Sequence, residues 1–413
     1  MPSIGETIKA LRKQRKLTQS DLAGDRLTKG MLSLIENDKA KPSIDSLQYI
    51  AKRLAVPMSE LIGEMDREKL RETLKQITRI WDEQNRQLQP DYSEAFTLFE
   101  PILLDLKQRS YEELRLEQLY LEMRGFADKK MDLAAYEAIL KKYEQMALHD
   151  NVMNGYISMM VYAYLVESHT LGVQYSDDAA AYFEQYETLL SVEKQLQFYY
   201  YRMIALAMTK DRPWKQCAEK ALALSREKNM YYLIDAFYRF LFVQEVIEYN
   251  EPQARLYLKK LTLFFQMTGD DAAEQSLLFW QLFIPLFIHH DFEASYTILE
   301  QCKKQSAEEE DQRIVTNVAS AIESYILFHL ERYEESAAAY EEIIESFYFN
   351  KHPIDLSLIF LGLTARARSH WQLGKKEAAK RDMLYVQNEI KDFPDYSYSV
   401  FFKESIAVIL GGD

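Results

Sequence analysis

The chain has 413 residues and a formal net charge of −14, so its surface as a whole does not attract a polyanion such as nucleic acid. Its two Cys and seven His show no metal-ligand spacing, and there is no phosphate loop, nucleophile elbow or dinucleotide fingerprint; we therefore expect no enzyme, no cofactor and no metal. Only twelve Gly and ten Pro interrupt the sequence, and no useful strand-like alternation occurs, which predicts an all-α protein.

The sequence begins with two short predicted helices. The first covers residues 4–15, and its apolar positions at helical spacing are Ile4, Ile8 and Leu11. Thr18 is placed to cap the second, with Asp21 three residues on as an acidic capping-box partner. We expect this second helix over residues 18–24.

A third and a fourth helix follow. Thr28 is placed to cap the third, whose inner face is formed by Met31 or Leu32 and by Ile35, and whose outer face carries Lys29, Gly30 and Ser33. Ser43 caps the fourth helix, residues 44–54, and a further turn is expected at 58–62. Two short helices joined by a tight turn are the arrangement that places the second one in a DNA major groove.

These elements resemble the phage-repressor type of helix-turn-helix domain of bacterial regulators. The resemblance covers residues 1–62, and the matching positions include Thr18-Gln19, Leu22-Ala23, Ser33, Ile35-Glu36 and Lys41-Pro42-Ser43. The turn Gly24 to Leu27 is about one residue shorter than in the common repressors. The resemblance implies that residues 1–62 bind operator DNA.

Residue roles follow from this resemblance. Gln19 would hydrogen-bond a phosphate, and the alternative is a surface Gln without a role in DNA binding. Lys29 would reach guanine or a phosphate. Asn37, Lys39 and Lys41 would line the DNA backbone, although a solvated basic loop would look the same in sequence. The full candidate DNA-binding set is Gln19, Thr28, Lys29, Gly30, Met31, Ser33, Asn37, Lys39 and Lys41. Arg12 and Glu36 are predicted to form an internal ion pair instead.

Charge divides the chain in the same way. Residues 1–62 carry eleven Lys or Arg against seven Asp or Glu, a net +4, so residues 63–413 carry −18. Only the first segment attracts DNA. Since one small module binds weakly, we expect a homodimer or higher homo-oligomer that presents two copies at a fixed half-site spacing.

Residues 63–90 are predicted to form a linker helix. Its apolar stripe consists of Leu70, Leu74, Ile77, Trp81 and Leu88. Two interpretations stay open: a helix that packs on the following repeat, or a short coiled coil. Either one would join the two parts of the chain stiffly.

Residues 91–413 show helix-pair units on a period near 40, about eight in all. A small residue opens the second helix of each unit, at positions 95, 135, 180, 217, 254, 295, 336 and 379, which step by 37 to 45. The series resembles tetratricopeptide repeats and is clearest at residues 324–343. The resemblance implies a right-handed superhelix with a long concave surface.

Polar residues on the first helices of these units are candidates for binding a ligand. Aligning the units on their small residues places a set near the groove-facing stripe: Arg124, Asn154, Arg202, Arg239 and Asn317. Asn can pair with both groups of a peptide bond and Arg can clamp a carboxylate, so an extended peptide is the natural ligand. For each of these five residues, the alternative is a side chain that is solvated or paired within the structure. Most of the many aromatic residues are assigned to the core.

The two parts together resemble the peptide-pheromone (quorum-sensing) regulators of Gram-positive bacteria. This resemblance implies that a short imported signalling peptide binds the groove and switches the oligomer and its DNA binding. We name the helix-pair units of residues 91–413 the array. Related proteins with such an array imply an alternative role, an adaptor that binds and inhibits a response regulator of the sporulation phosphorelay. No secretion signal is evident in the sequence, and the most apolar stretch, residues 277–288, is too short to span a bilayer, so we expect no membrane partner and a cytoplasmic location.

Overall fold

The structure is a computed structural model, and it describes a defined set of residues. These are 3–56, 61, 67–84, 90–103, 106, 110–167, 169–207, 213–269, 277–306, 313–340, 353–391 and 396–411. All regular secondary structure within these ranges is helical, which confirms the all-α prediction. The chain divides into two compact units, Met1–Ala127 and Asp128–Asp413. The domain boundary predicted after residue 62 falls inside the first unit and stays a prediction.

The first unit begins with four short helices. They are α1 (Ile4–Gln14), α2 (Gln19–Ala23), α3 (Lys29–Glu36) and α4 (Ile44–Leu54). Their buried apolar side chains form one small core: Ile8, Leu22, Ala23, Leu32, Ile35, Leu47, Ile50, Ala51, Leu54 and Leu61. Leu32, not Met31, belongs to this core, because Met31 is 44% exposed.

Side-chain caps set where these helices begin. Thr18 accepts a hydrogen bond from the Asp21 amide, and the Asp21 carboxylate accepts one from the Thr18 amide. Thr28 and Ser43 cap α3 and α4 in the same position. The predicted caps are thus confirmed. The turn predicted at 58–62 lies outside the described residues except for Leu61, which is helical and buried.

Three further helices complete the first unit. They are α5 (Arg67–Gln84), α6 (Ser93–Phe99) and α7 (Tyr111–Ala127). Leu70 and Ile77 of the predicted stripe are buried, and Trp81 stacks on Tyr92 with ring centroids 5.7 Å apart. Helix α5 packs on both α6 and α7, which favours the packing interpretation over a coiled coil. Leu88 lies outside the described residues.

The second unit continues as a series of helices. They are α8 (Leu133–Gln145), α9 (His149–Tyr162), α10 (His169–Tyr186), α11 (Val192–Ala207), α12 (Trp214–Lys228), α13 (Ile234–Ile247), α14 (Glu251–Thr268), α15 (Phe292–Ser306), α16 (Arg313–His329), α17 (Tyr333–Ala339), α18 (Pro353–Gln372), α19 (Lys376–Ile390) and α20 (Ser399–Ile406). π-helical turns lie at Ala163–Glu167, Ile284–His289 and Ala407–Gly411. In the described part of the chain, no helix is both long and apolar enough to cross a membrane.

Neighbouring helices of this unit pack as hairpins. Helix α9 packs on α10 and on α11, and α16 packs on α17 and on α18, so a first helix contacts both its partner and the next first helix. Close approach is visible between α16 and α18, where a Cβ on Gly362 would lie 2.4 Å from the Cα of Ala321.

The small residues expected at these contacts are mostly buried. The buried ones are Ala95, Cys217, Ala254, Ser295, Ser336 and Ala379. Ala135 and Ala180 are half-buried, and in α10 the fully buried small residue is Ala179, one position earlier. The unit predicted at 324–343 forms the contact between α16 and α17 as far as Tyr340, and its last three residues lie outside the described ranges.

Candidate nucleic-acid interface and candidate peptide site

The turn between α2 and α3 depends on Gly24. Its backbone has φ 60° and ψ −137°, a conformation that is essentially restricted to glycine. A Cβ at this position would also lie 2.2 Å from the Tyr49 hydroxyl. The turn therefore fixes the direction in which α3 leaves α2.

The carboxylate of Glu36 joins three segments of the first unit. Arg12 donates to it from Nε at 2.5 Å and from Nη2 at 2.9 Å, and Gln19 donates from Nε2 at 2.8 Å. Burial alone would raise the pKa of Glu36, but the hydrogen bonds from Arg12 and Gln19 outweigh it and lower that pKa below its ordinary value. The predicted ion pair of Arg12 and Glu36 is confirmed.

Gln19 therefore has a partly structural role. One amide hydrogen points to Glu36. An amide nitrogen carries two, and the second has no acceptor among the described residues, so it can donate to an external group. The side chain is half-buried at the start of α2. A phosphate contact by Gln19, as predicted, would be made from a side chain that Glu36 already orients.

The exposed side chain of Asn37 is likewise held by hydrogen bonds within the domain. Its Nδ2 donates to the carbonyl of Ser33 at 2.7 Å, and its Oδ1 accepts from Lys9 Nζ at 3.2 Å. The neighbouring Asp38 accepts from the Gly5 amide at 3.3 Å and from the Ser3 hydroxyl. These bonds fix the end of α3 against α1.

The outward face of α3 is polar at its edges and apolar in its centre. Lys29, Gly30 and Asn37 are exposed, as is Thr28, whose hydroxyl caps the helix by accepting from the Met31 amide at 3.1 Å. Ser33 is half-buried. Met31 and Leu34 are large apolar side chains that are each 44% exposed. Leu34 is absent from the predicted set, since an apolar residue in a short helix is ordinarily assigned to the core.

Two further lysines extend this surface beyond α3. Lys39 and Lys41 are both exposed in the segment between α3 and α4. Like Lys29, neither makes an ion pair among the described residues. The three ammonium groups are therefore available to an external anion.

The predicted peptide-binding residues do not form a single described cluster. Arg124 lies in the first unit with its guanidinium over the Phe96 ring at 5.3 Å, and Arg239 pairs with Asp235 of its own helix at 2.7 Å. Asn154 is half-buried on α9, with no side-chain hydrogen bond among the described contacts. The side chain of Asn317 lies outside the described residues.

Arg202 lines a cavity between α10, α11 and α12. Its Nη1 donates to the Ser176 carbonyl at 2.7 Å and to the Asp177 carboxylate at 3.3 Å. The cavity has a volume of about 380 Å³, and Gln216 and Lys220 contribute polar groups to its wall. This volume lies at the lower end of the range for ligand pockets.

A second cavity lies between α14 and the π-helical turn at Ile284–His289. It has a volume of about 700 Å³, with Leu263 and Ile284 in its apolar wall. Its basic members are Arg255, Lys259 and His289. Sequence reasoning missed these residues. The basic residues spaced along α14 could have indicated a binding surface. The same spacing is also typical of a helix face that is exposed to solvent.

The class of the N-terminal segment is given by its match to a family model. Residues 8–61 match the model described as helix-turn-helix. The same region is similar to the immunity repressor protein of Bacillus phage phi105, with 41% identity over 63 residues. That match spans 15% of this chain and 44% of the repressor's length. The chain thus carries a helix-turn-helix domain.

Several solved structures are similar to this chain over a larger share of its length. PlcR of Bacillus thuringiensis, in complex with the peptide PapR7 and DNA, is 19% identical with a TM-score of 0.34, over 67% of this chain and 99% of that chain. ComR of S. thermophilus, with DNA and its signalling peptide ComS, is 19% identical with a TM-score of 0.31, over 67% and 97%. The SHP pheromone receptor Rgg2 of Streptococcus dysgalactiae is 13% identical with a TM-score of 0.26, over 73% and 100%. All three TM-scores are low, so these similarities add nothing to what this chain's own residues support.

Proposed function

We propose that this protein is a transcription regulator that binds operator DNA through residues 1–62 and is switched by a short signalling peptide bound in the helical array. The observation that carries the proposal is the face of α3. It is exposed, it is flanked by three lysines that form no ion pair with any described residue, and it belongs to a helix-turn-helix domain of net charge +4 in a chain of net charge −14.

DNA binding follows from the way this face is built. The caps at Thr18 and Thr28 and the Glu36 network fix α2 and α3 before any ligand arrives. Lysines at the rim neutralise phosphates, while the central residues of α3 reach base edges. The acidic remainder of the chain does not contact DNA. A homodimer or higher homo-oligomer presents two helix-turn-helix domains at a fixed half-site spacing.

The peptide part of the proposal is supported by the second unit. The two cavities described above have walls that combine apolar side chains with Arg, Lys and Gln, the groups that bind a peptide backbone or carboxylate, and the first also contains Glu184 and Glu187. Asn154 offers an amide with no described partner. A ligand that binds one oligomer more tightly than another shifts the population toward it.

Within the family of peptide-pheromone regulators, we assign the chain to the type with the long array. Its length is similar to that of the regulator NprR rather than the shorter PlcR type. The adaptor role toward a phosphorelay response regulator is the competing function, and it predicts a different result in the experiment that follows.

The test combines duplex selection with mass measurement on the full chain. Random duplexes are selected by the protein alone and with a pool of short synthetic peptides, and light scattering gives the mass in each state. We expect a selected duplex whose affinity and bound mass change with peptide, and we expect Lys29→Ala to weaken DNA binding without changing the response to peptide. Lys380→Ala, at an exposed lysine of α19 that lines neither cavity, serves as the matched control for DNA binding. Failure to select any duplex refutes the regulator, and selection without any effect of peptide favours the adaptor.

A further inference from the structure

Leu34 lies near the centre of the exposed face of α3. Successive residues of an α-helix are about 100° apart, and the buried side of α3 consists of Leu32, Ile35 and Glu36. The opposite direction passes between Gly30 and Leu34. Leu34 and Met31, three residues apart on the same surface, are each 44% exposed and form what we name the Met31–Leu34 patch.

The surroundings of this patch limit what can cover it. Lys29 and Asn37 are exposed beside it, and Lys39 and Lys41 follow the helix. The covering surface must therefore be negative around its edge and apolar at its centre. A DNA major groove has this character wherever thymine occurs, because two rows of phosphates flank a floor on which the thymine C5-methyl is the one apolar group.

We propose that the Met31–Leu34 patch contacts the C5-methyl groups of thymines in the operator and makes them specificity determinants. The proposal rests on the proposed function, since it needs α3 to lie in the major groove. Leu34 has no hydrogen-bonding group, so it discriminates by apolar contact alone. It favours thymine over uracil, which differs from thymine only by that methyl group.

Gly30 helps this contact by leaving space beside Leu34. A Cβ at Gly30 would have no neighbour nearer than the Thr28 hydroxyl at 3.9 Å, so the surface there is open. Gly30 precedes Leu34 by four residues, one helical turn. A base edge can therefore approach the backbone of α3 while the methyl group of the same or the next pair meets Leu34.

The experiment replaces thymine by uracil. Duplexes are selected from a random pool by the full chain, and each thymine of the selected site is changed singly to deoxyuridine. We expect the wild type to lose about fourfold in affinity at one or two thymines of each half-site, as for loss of one buried methyl contact. In Leu34→Ala this loss should shrink to less than about twofold, because the methyl group no longer meets an apolar side chain.

Controls separate this contact from folding and from general DNA binding. Leu34→Ala keeps a strong helix former at an exposed position, so α3 is retained. Leu384→Ala, a leucine of α19 that is 50% exposed, should show the same thymine preference as the wild type. The inference is overturned if the wild type binds equally well with uracil at every position, or if Leu34→Ala keeps the full preference. If no duplex is selected at all, the proposed function itself fails.

Discussion

Glu36 is the residue on which the candidate interface most depends. Its carboxylate is buried and receives hydrogen bonds from Arg12 on α1 and Gln19 on α2. Removing one partner of a buried ion pair leaves the other charge without compensation, which costs about 3 kcal/mol. The orientation of α3 against the other two helices is thus coupled to one side chain.

We therefore expect Glu36→Gln to lower the free energy of local unfolding of residues 3–56 by about 3 kcal/mol. Hydrogen exchange of the full chain, followed by mass spectrometry, measures this locally and does not require the whole chain to unfold in one step. Asp45→Asn, at an exposed carboxylate of α4, is the matched control. Equal exchange rates in the two variants would contradict the role of Glu36.

His329 provides a second prediction at the scale of single residues. Its ring stacks on Phe292 with centroids 4.2 Å apart, and its Nε2 has no hydrogen-bond partner among the described residues. Burial, with His290 and Arg368 as nearby positive groups, lowers the pKa of His329 to about 4. The folded chain therefore keeps this ring neutral.

Stability should depend on pH accordingly. Between about pH 6.5 and pH 4 the unfolded chain takes up a proton at this histidine that the folded chain refuses, so stability is complete above this range and is lost as the pH falls through it. His329→Phe should remove up to about 3 kcal/mol of this acid-induced loss. Urea unfolding of the wild type and of His329→Phe at a series of pH values measures it, and an equal acid-induced loss in the two proteins would contradict the prediction.

At the scale of elements, the turn from α2 to α3 is the place where the backbone conformation depends most on one residue type. Gly24→Ala places a Cβ in a glycine-only conformation and against the Tyr49 hydroxyl, and we expect it to cost about 2 kcal/mol. Gly30→Ala replaces a glycine inside a helix where space is open, so it should stabilise the domain by about 0.5 kcal/mol.

The two glycines thus separate folding from binding. Hydrogen exchange of residues 3–56 should speed up in Gly24→Ala and slow down in Gly30→Ala. DNA binding should weaken in both, in the first because α3 is misplaced and in the second because a methyl group stands where a base edge approaches. Unchanged DNA affinity in Gly30→Ala would show that α3 keeps its distance from the bases at this point.

The helix starts could be predicted from sequence because they depend on neighbours in the chain. Thr18, Thr28 and Ser43 each bond an amide three residues away, a relation that is visible in the sequence itself. Interactions between segments that are distant in the sequence are harder to predict. Arg202 donates to Ser176 and Asp177, 25 or 26 residues earlier, and no local pattern distinguishes such an anchor from a free ligand-binding side chain.

The lack of a local pattern for contacts between distant segments also explains two differences between prediction and structure, one in the array and one on α3. Ala179 is buried in place of Ala180 because the helix crossing, not the nearest small residue, decides which side chain faces its partner. Leu34 was missed because a hydrophobic pattern assigns apolar residues to a core. Only the packing of α3 shows that its core side is already occupied by Leu32 and Ile35.

At the scale of the whole molecule, the separation of charge has a measurable consequence. Each phosphate that a cation neutralises releases counterions, so the logarithm of DNA affinity falls with the logarithm of salt concentration by about 0.9 per contact. Residues 1–62 carry net +4 and the remainder −18, so the contacts should come from the first segment alone.

Removing one lysine of the interface should therefore change this dependence in a defined way. Lys39→Ala and Lys41→Ala should each reduce the slope by about one and weaken binding to all sequences alike, because a phosphate contact carries no sequence information. Titrations of the selected duplex at several salt concentrations measure the slope. Lys380→Ala, which removes an exposed lysine from the acidic part of the chain, should leave it unchanged. A reduced slope in Lys380→Ala would mean that the second unit itself contacts DNA, and the prediction that only residues 1–62 bind DNA would then be wrong.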